Sequence, residues 1–216
     1  MICWSCQKNV AATEFCSACG AILPLDGRPD HFTLIGAPMR FSQDMAALER
    51  RYKESTRAVH PDKFARADAQ ARRAAMQRTV ALNEAWRTLR DPIARAEYLV
   101  RLLGIDVGTE DGTLRRTETG QEKVAVDPTL LADMMEKREA LMEAREQEDY
   151  AALARLARQV RASYEQALLE AQTALDRQAA GDTERAAKCL VAVRYYRRFL
   201  DSFEDGGHAS PGAQHG

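Results

Sequence analysis

A membrane-crossing stretch is missing from this chain. Nowhere in its 216 residues do 18 apolar residues follow one another, which excludes a bilayer-spanning helix. The first residues, Met1-Ile2-Cys3-Trp4-Ser5-Cys6, lack the basic flank and apolar run of a secretion signal. They also lack the Arg- and Ser-rich amphipathic character of a transit peptide, so the expectation is a cytoplasmic protein. Aromatic residues are scarce at 6%, but the hydrophobic share of 45% is ordinary for a globular protein and excludes wholesale disorder. An excess of charge of one sign is absent too, with 31 basic residues against 32 acidic. That balance hides a division along the chain: residues 1–30 sum to −1, residues 31–105 to +6 and residues 106–216 to −6. A basic block joined to an acidic block reads as two modules with different partners. The length fits one large or two to three small domains.

What the sequence does have is concentrated at its start. Four of the five cysteines follow the pattern Cys3-x2-Cys6-x9-Cys16-x2-Cys19. Each Cys-x-x-Cys turn aims two thiolates at one ion, and two such turns complete a tetrahedron. Residues 1–27 are too few to fold on apolar burial alone, and zinc binding at roughly 10–16 kcal/mol supplies that deficit. The rival readings are iron in a rubredoxin-like site or two disulfides; a cytosolic setting disfavours the disulfides. We therefore expect structural Zn2+ on Cys3, Cys6, Cys16 and Cys19, with no open position for catalysis, in a knuckle whose loss leaves the helical modules folded. Cys189 sits alone in a helical pattern and reads as a small buried hydrophobe. The segment's net charge of −1 argues against a nucleic-acid-binding ribbon.

After Pro24, Gly27 and Pro29 the chain reads as mostly α. Residues 31–105 form one module. Ser42 is the expected cap of a helix over 43–58, with Met45, Leu48, Tyr52 and Val59 facing a core. A second helix spans 67–89, with Ala75, Leu82, Ala85, Trp86 and Leu89 inward, and stops at Asp91-Pro92. A third, over 93–103, carries Ala96, Leu99, Val100 and Leu103. Between the two long helices lies His60-Pro61-Asp62-Lys63. Pro61 fixes a backbone dihedral, so His60 and Asp62 are displayed with little freedom left to lose. An exposed carboxylate held in that way suits a charge-assisted bond to a partner. Arg50, Arg51, Lys53 and Arg57 on the incoming helix would steer it to an acidic surface. Acid–base catalysis by His60 and Asp62 has no nucleophile or pocket signature nearby.

With the tripeptide His60-Pro61-Asp62 at the tip of a helical hairpin, and with Leu82-Asn83-Glu84-Ala85 and Asp91-Pro92 behind it, this module resembles the J-domain family. The resemblance implies a co-chaperone that stimulates ATP hydrolysis by DnaK-class chaperones.

Residues 106–127 read as an irregular linker, and the acidic remainder, 128–204, as an antiparallel three-helix bundle. Its helices are expected at about 128–147, 149–179 and 182–204, with 205–216 a disordered tail. The first helix carries two apolar stripes, Leu130, Met134 and Leu141 on one, Leu131, Met135 and Met142 about 100° further round. One stripe suffices for the core. The second, bordered by Glu136, Glu139, Glu143 and Glu146 and rich in adaptable methionine, is either a docking face or the far side of a wide core helix. On the last helix Phe199 lies at the edge of the apolar arc, either partly open or peripheral core.

A J-domain followed by an acidic three-helix bundle looks like the iron–sulfur co-chaperone family of HscB type. That resemblance implies a non-enzymatic adaptor that brings the iron–sulfur cluster scaffold (IscU type) to an HscA-type chaperone. By the same resemblance Leu131, Met135, Glu136, Glu139, Glu143 and Phe199 take the scaffold-docking roles. Ala132 departs from the family pattern, where a larger apolar residue is usual, and the linker is long. The tetracysteine knuckle belongs to a subset of the family. The runner-up is a general J-domain co-chaperone delivering unfolded clients.

Overall fold

A computed structural model describes residues 1–107 and 122–205. The fold is the mostly helical one expected, with an amino-terminal cysteine knuckle, a helical hairpin and three long carboxy-terminal helices. The chain divides into two compact units, Met1–Arg95 and Ala96–Gly216.

In the first unit the knuckle leads into a helix that the periodicity does not suggest, α1 (His31–Ile35). Asp30 caps it by accepting from the Thr33 N–H at 2.9 Å, and Gly36 ends it at φ +71°, a conformation glycine adopts without strain. Its Phe32 and Ile35 are buried. The incoming helix of the hairpin, α2 (Met45–Ala58), starts later than expected. Asp44, not Ser42, caps it, because the Asp44 carboxylate accepts from Ala47 N at 3.0 Å. The returning helix, α3 (Ala69–Arg90), buries Ala71, Ala74, Ala75, Leu82, Ala85 and Leu89 at three- and four-residue steps. Its alanines leave room for α1 and α2, both of which pack against it. Leu48 and Val59 are in the core, but Met45, expected there, is open at the first position of its helix. Tyr52 is half-buried. Its ring stacks on Trp86 with centroids 5.0 Å apart, and its hydroxyl donates to Asn83 Oδ1 at 2.8 Å.

The cut between the units falls inside α4 (Pro92–Leu102). Ala96, Leu99 and Val100 are fully buried, but Leu103 is exposed, because the helix has ended and Gly104 turns the chain away at φ +93°. The segment expected to be wholly irregular is pinned at both ends: β1 (Ile105–Asp106) pairs in parallel with β2 (Glu122–Lys123). Most of the rest of that stretch, 108–121, lies outside the described residues.

The second unit continues with α5 (Pro128–Glu146), α6 (Tyr150–Arg177) and α7 (Asp182–Asp205). Asp127 and Asp149 cap α5 and α6 through bonds from Thr129 N and Ala152 N, both 2.8 Å. Leu130, Met134 and Leu141 pack with Leu156, Val160 and Phe199. Further along, α6 and α7 bury Ala171, Ala174, Ala186 and Ala187, small residues that bring two helix backbones close. The predicted tail begins at 205; Asp205 closes α7, and 206–216 lie outside the described residues. Among the described residues no helix is long and apolar enough to cross a membrane.

The turn between α6 and α7 is built on one buried carboxylate. Asp182 accepts from Ala179 N at 2.8 Å and from two nitrogens of Arg177. The Arg177 hydrogen bonds hold it down from its ordinary 3.8 to about 2, against the opposing effect of burial. A carboxyl depressed in the folded state stabilises it above the unfolded pKa, and that contribution is lost as pH falls from about 4 through about 2. Thermal melts of Asp182→Asn should therefore show a lower midpoint than wild type at pH 7. The gap between the two proteins should narrow as pH is brought down through that window. A gap that stays constant from pH 7 to pH 2 would refute the assignment.

Candidate functional site

The two cysteine pairs are presented by two matching turns. In the first, Cys3 N donates to Lys8 O at 2.9 Å and Gln7 N to Cys3 O at 3.0 Å. In the second, Cys16 N donates to Ala21 O at 2.8 Å and Gly20 N to Cys16 O at 2.9 Å. The residue after each pair, Gln7 and Gly20, takes a left-handed φ of 60° and 75°. Antiparallel bridges, Ile2 with Asn9 and Phe15 with Ile22, close the two ribbons. The result brings four sulfurs together, all within 4.8 Å of one another, with Cys3–Cys19 and Cys6–Cys16 each at 3.7 Å. A tetrahedron with metal–sulfur bonds of about 2.3 Å has edges of about 3.8 Å, which two of these separations match, so the donor set fits a four-sulfur ion site. All four cysteines are free. Cys3 and Cys16 are buried with Leu23, Trp4 packs over them, and the Trp4 indole N–H donates to Ile22 O at 2.8 Å. The Lys8 N–H pulls the Cys6 thiol down, but burial and sharing with Cys19, Cys16 and Cys3 outweigh it and raise that thiol to about 11. Ion binding therefore releases protons.

The loop between α2 and α3 is a single 3₁₀ turn over Pro61–Phe64 with Pro61 at its first position. His60 precedes it, and its Nδ1 accepts from Asp62 N at 3.3 Å. Asp62 points outward with its side chain 91% exposed, its Oδ2 3.5 Å from His60 Nδ1, and Lys63 is exposed beside it. The basic residues of α2 divide. All four are exposed, but Arg50, Lys53 and Arg57 fall within about 60° of one another at 100° per residue. Lys53 is also paired with Glu49 at 2.7 Å. Arg51 lies about 100° from Arg50 and is bonded to Gly36 O. It is exposed as well, and its bond to Gly36 O also ties α2 to the end of α1.

On α5 the two stripes separate cleanly. Leu130, Met134 and Leu141 are 9%, 4% and 5% exposed, whereas Leu131, Met135 and Met142 are 40%, 64% and 62% exposed. Glu136, Glu139 and Glu143 are exposed beside the open stripe. Of the two places expected for Phe199, a partly open edge or the core, it takes the core, which argues against its expected docking role. It is 4% exposed, sits in the bundle core and meets Phe203 edge-on at 5.5 Å. Its position on the arc is right, but α5 and α6 cover it.

Two residues escape a reading of the sequence. Arg78, a charge on the inner face of α3, is 6% exposed and bonded to the knuckle's backbone. Thr79 donates to Val59 O at 3.4 Å, one residue before His60. The inward register of Arg78 with Ala71, Ala74, Ala75 and Leu82 is the signal that could have found it.

Comparison with known proteins agrees along the chain. A family model described as the HSCB C-terminal oligomerisation domain matches residues 126–204. The co-chaperone protein HscB homolog of Bordetella pertussis is 44% identical over 146 residues, 68% of this chain and 76% of that one. The iron–sulfur cluster co-chaperone protein HscB homolog of Arabidopsis thaliana is 32% identical over 196 residues, 91% of this chain and 70% of that one. The crystal structure of human co-chaperone protein HscB aligns with a TM-score of 0.76 at 26% identity, covering 96% of this chain and 99% of that one.

Proposed function

The chain belongs to the HscB co-chaperone family, and from that premise we propose that it couples ATP hydrolysis by an HscA-type, DnaK-class chaperone to the handling of an IscU-type iron–sulfur cluster scaffold. The loop His60–Pro61–Asp62–Lys63, with Arg50, Lys53 and Arg57 beside it, engages the chaperone. Those charges steer the encounter, and Asp62 supplies a pre-organised acceptor for a cationic or amide partner. The ATPase chemistry belongs to the partner, whose conformational equilibrium the loop shifts. The scaffold docks on Leu131 and Met135, flanked by Glu136, Glu139 and Glu143. Phe199 drops out of this set because it is buried. Cys3, Cys6, Cys16 and Cys19 hold a structural zinc ion, and the protein acts in the cytoplasm.

The observation that carries this reading is the split of α5. One of its apolar stripes fills the bundle core, while the other stands in water with a glutamate border. Bundle stability does not require an exposed Leu131, Met135 and Met142; a docking partner does. The test is a titration of the full-length protein against the organism's cluster scaffold, with turnover of the DnaK-class ATPase measured alongside. Saturable scaffold binding together with faster ATP hydrolysis is the expected outcome. Capture of heterogeneous unfolded chains, with no affinity for the scaffold, would replace this reading with a general client-delivering co-chaperone.

The metal assignment has its own check. Elemental analysis of the purified protein should find about one zinc per chain, and Cys16→Ser should lose it. A red preparation with iron in place of zinc would overturn the choice of ion while leaving the site.

A further inference from the structure

Arg78 lies on the buried face of α3, yet every acceptor of its guanidinium bonds belongs to the amino-terminal segment. Nε donates to Leu23 O at 2.5 Å, and one terminal nitrogen donates to Thr13 O at 2.7 Å and Pro24 O at 3.2 Å. These oxygens sit on the ribbon that carries the second cysteine pair. Leu23 N donates to Glu14 O, Cys16 N donates to Ala21 O, and Leu23 packs against Cys3 and Cys16. Burial pushes the guanidinium below its ordinary value, and the Glu14 carboxylate only partly counters it. A buried cation stripped of its acceptors is strongly destabilising. α3 therefore tolerates Arg78 inside only while the ribbon keeps its shape. Too short to fold on apolar burial, the ribbon keeps that shape only when its thiolates are gathered. One residue along α3, Thr79 holds Val59 O, at the base of the His60 loop.

We propose that the tetracysteine knuckle is a metal-dependent clamp on the J-domain, acting through Arg78. With the four thiolates gathered, residues 13–24 offer three carbonyls to Arg78, which fixes α3 and, through Thr79 and Val59, the loop that carries His60 and Asp62. With the thiolates released, Arg78 loses its acceptors, α3 loosens, and the loop loses its support. The expectation that the helical modules stay folded when the knuckle is lost is kept; the clamp adds that α3 and the loop then open more often. The clamp rests on the reading that the cysteines hold an ion, and it makes that ion a control on co-chaperone competence.

The test compares full-length protein loaded with zinc and stripped by a chelator, with metal content measured in both. Backbone hydrogen exchange is then followed by mass spectrometry. On stripping, peptides covering α3 around Arg78 and the 59–64 loop should exchange roughly 5- to 150-fold faster, the usual range of coupling between two sites. Peptides from α6 and α7 should not change. In Arg78→Met, which needs no acceptors, α3 exchange should be the same with and without zinc. Because such coupling is reciprocal, that variant should also bind zinc more weakly by a comparable factor. A residue with a merely structural role would change exchange equally in both metal states. Wild-type protein that has lost its zinc and keeps full α3 protection would overturn the clamp and leave the metal site standing. A wild-type chain that takes up no zinc would remove both. If Arg78→Met fails to fold, the wild-type comparison decides alone.

Discussion

Replacing Leu131 and Met135 together by alanine should raise the dissociation constant for the cluster scaffold by about thirty- to a thousand-fold, each truncation of a desolvated anchor costing roughly 1–2 kcal/mol. Glu136→Ala or Glu139→Ala should do less, because rim charges act mainly on the rate of encounter and are screened by salt. The comparison that gives the experiment its force is on the same helix. Met134→Ala and Leu141→Ala remove atoms from the closed core, so each should cost about 2–5 kcal/mol of stability through cavity formation. Below their melting points these two variants should bind the scaffold nearly as wild type. The Leu131 and Met135 pair should cost far less in melting temperature, since its side chains are already partly in water. Calorimetric titration and thermal melts of these variants beside wild type settle it. Exchange of the two phenotypes would mean that the stripes are assigned the wrong way round, and unfolding by both pairs would place the docking surface elsewhere.

His60→Gln and Asp62→Asn should each abolish stimulation of the partner ATPase. Truncating one side of a charge-assisted pair at an interface costs about 2–5 kcal/mol, a thirty- to several-thousand-fold loss of coupling. Neither side chain contributes to the core. Asp62 is almost wholly exposed and His60 about half so, and the bond from Asp62 N to His60 Nδ1 is local to the loop. Helix content and scaffold affinity should accordingly match wild type, which separates loss of function from loss of fold. Steady-state ATP turnover with a saturating amount of each variant is the measurement. Full stimulation by either would sink the proposed role of the loop.

Much of this is legible in the chain because its signals are local or periodic. Two Cys-x-x-Cys pairs nine residues apart state their own geometry, and the two stripes of α5 follow from the pitch of a helix. What escapes depends on residues far apart in sequence. Arg78 reads as one more solvated charge on a basic helix, because its acceptors lie 54 to 65 positions away. α1 is a five-residue helix, too short to show a period, and only Asp30 and Gly36 mark its ends. β1 and β2 are two residues each, and a parallel pairing across the intervening chain leaves no pattern in either partner. Periodicity places Phe199 on the arc correctly, but burial depends on what lies opposite, and the pattern within one helix does not contain that.

The stack of Tyr52 on Trp86 has a practical side. The chain holds only two tryptophans, Trp4 over the cysteine cluster and Trp86 between the two long helices of the hairpin. Both fall within residues 1–95, while the three carboxy-terminal helices carry tyrosine and phenylalanine alone. Light absorbed at the red edge of the indole band is thus emitted by one unit only, and circular dichroism in the far ultraviolet sums over both. Recorded together on one sample, the two signals resolve the melting of the amino-terminal unit from that of the bundle, with no label added.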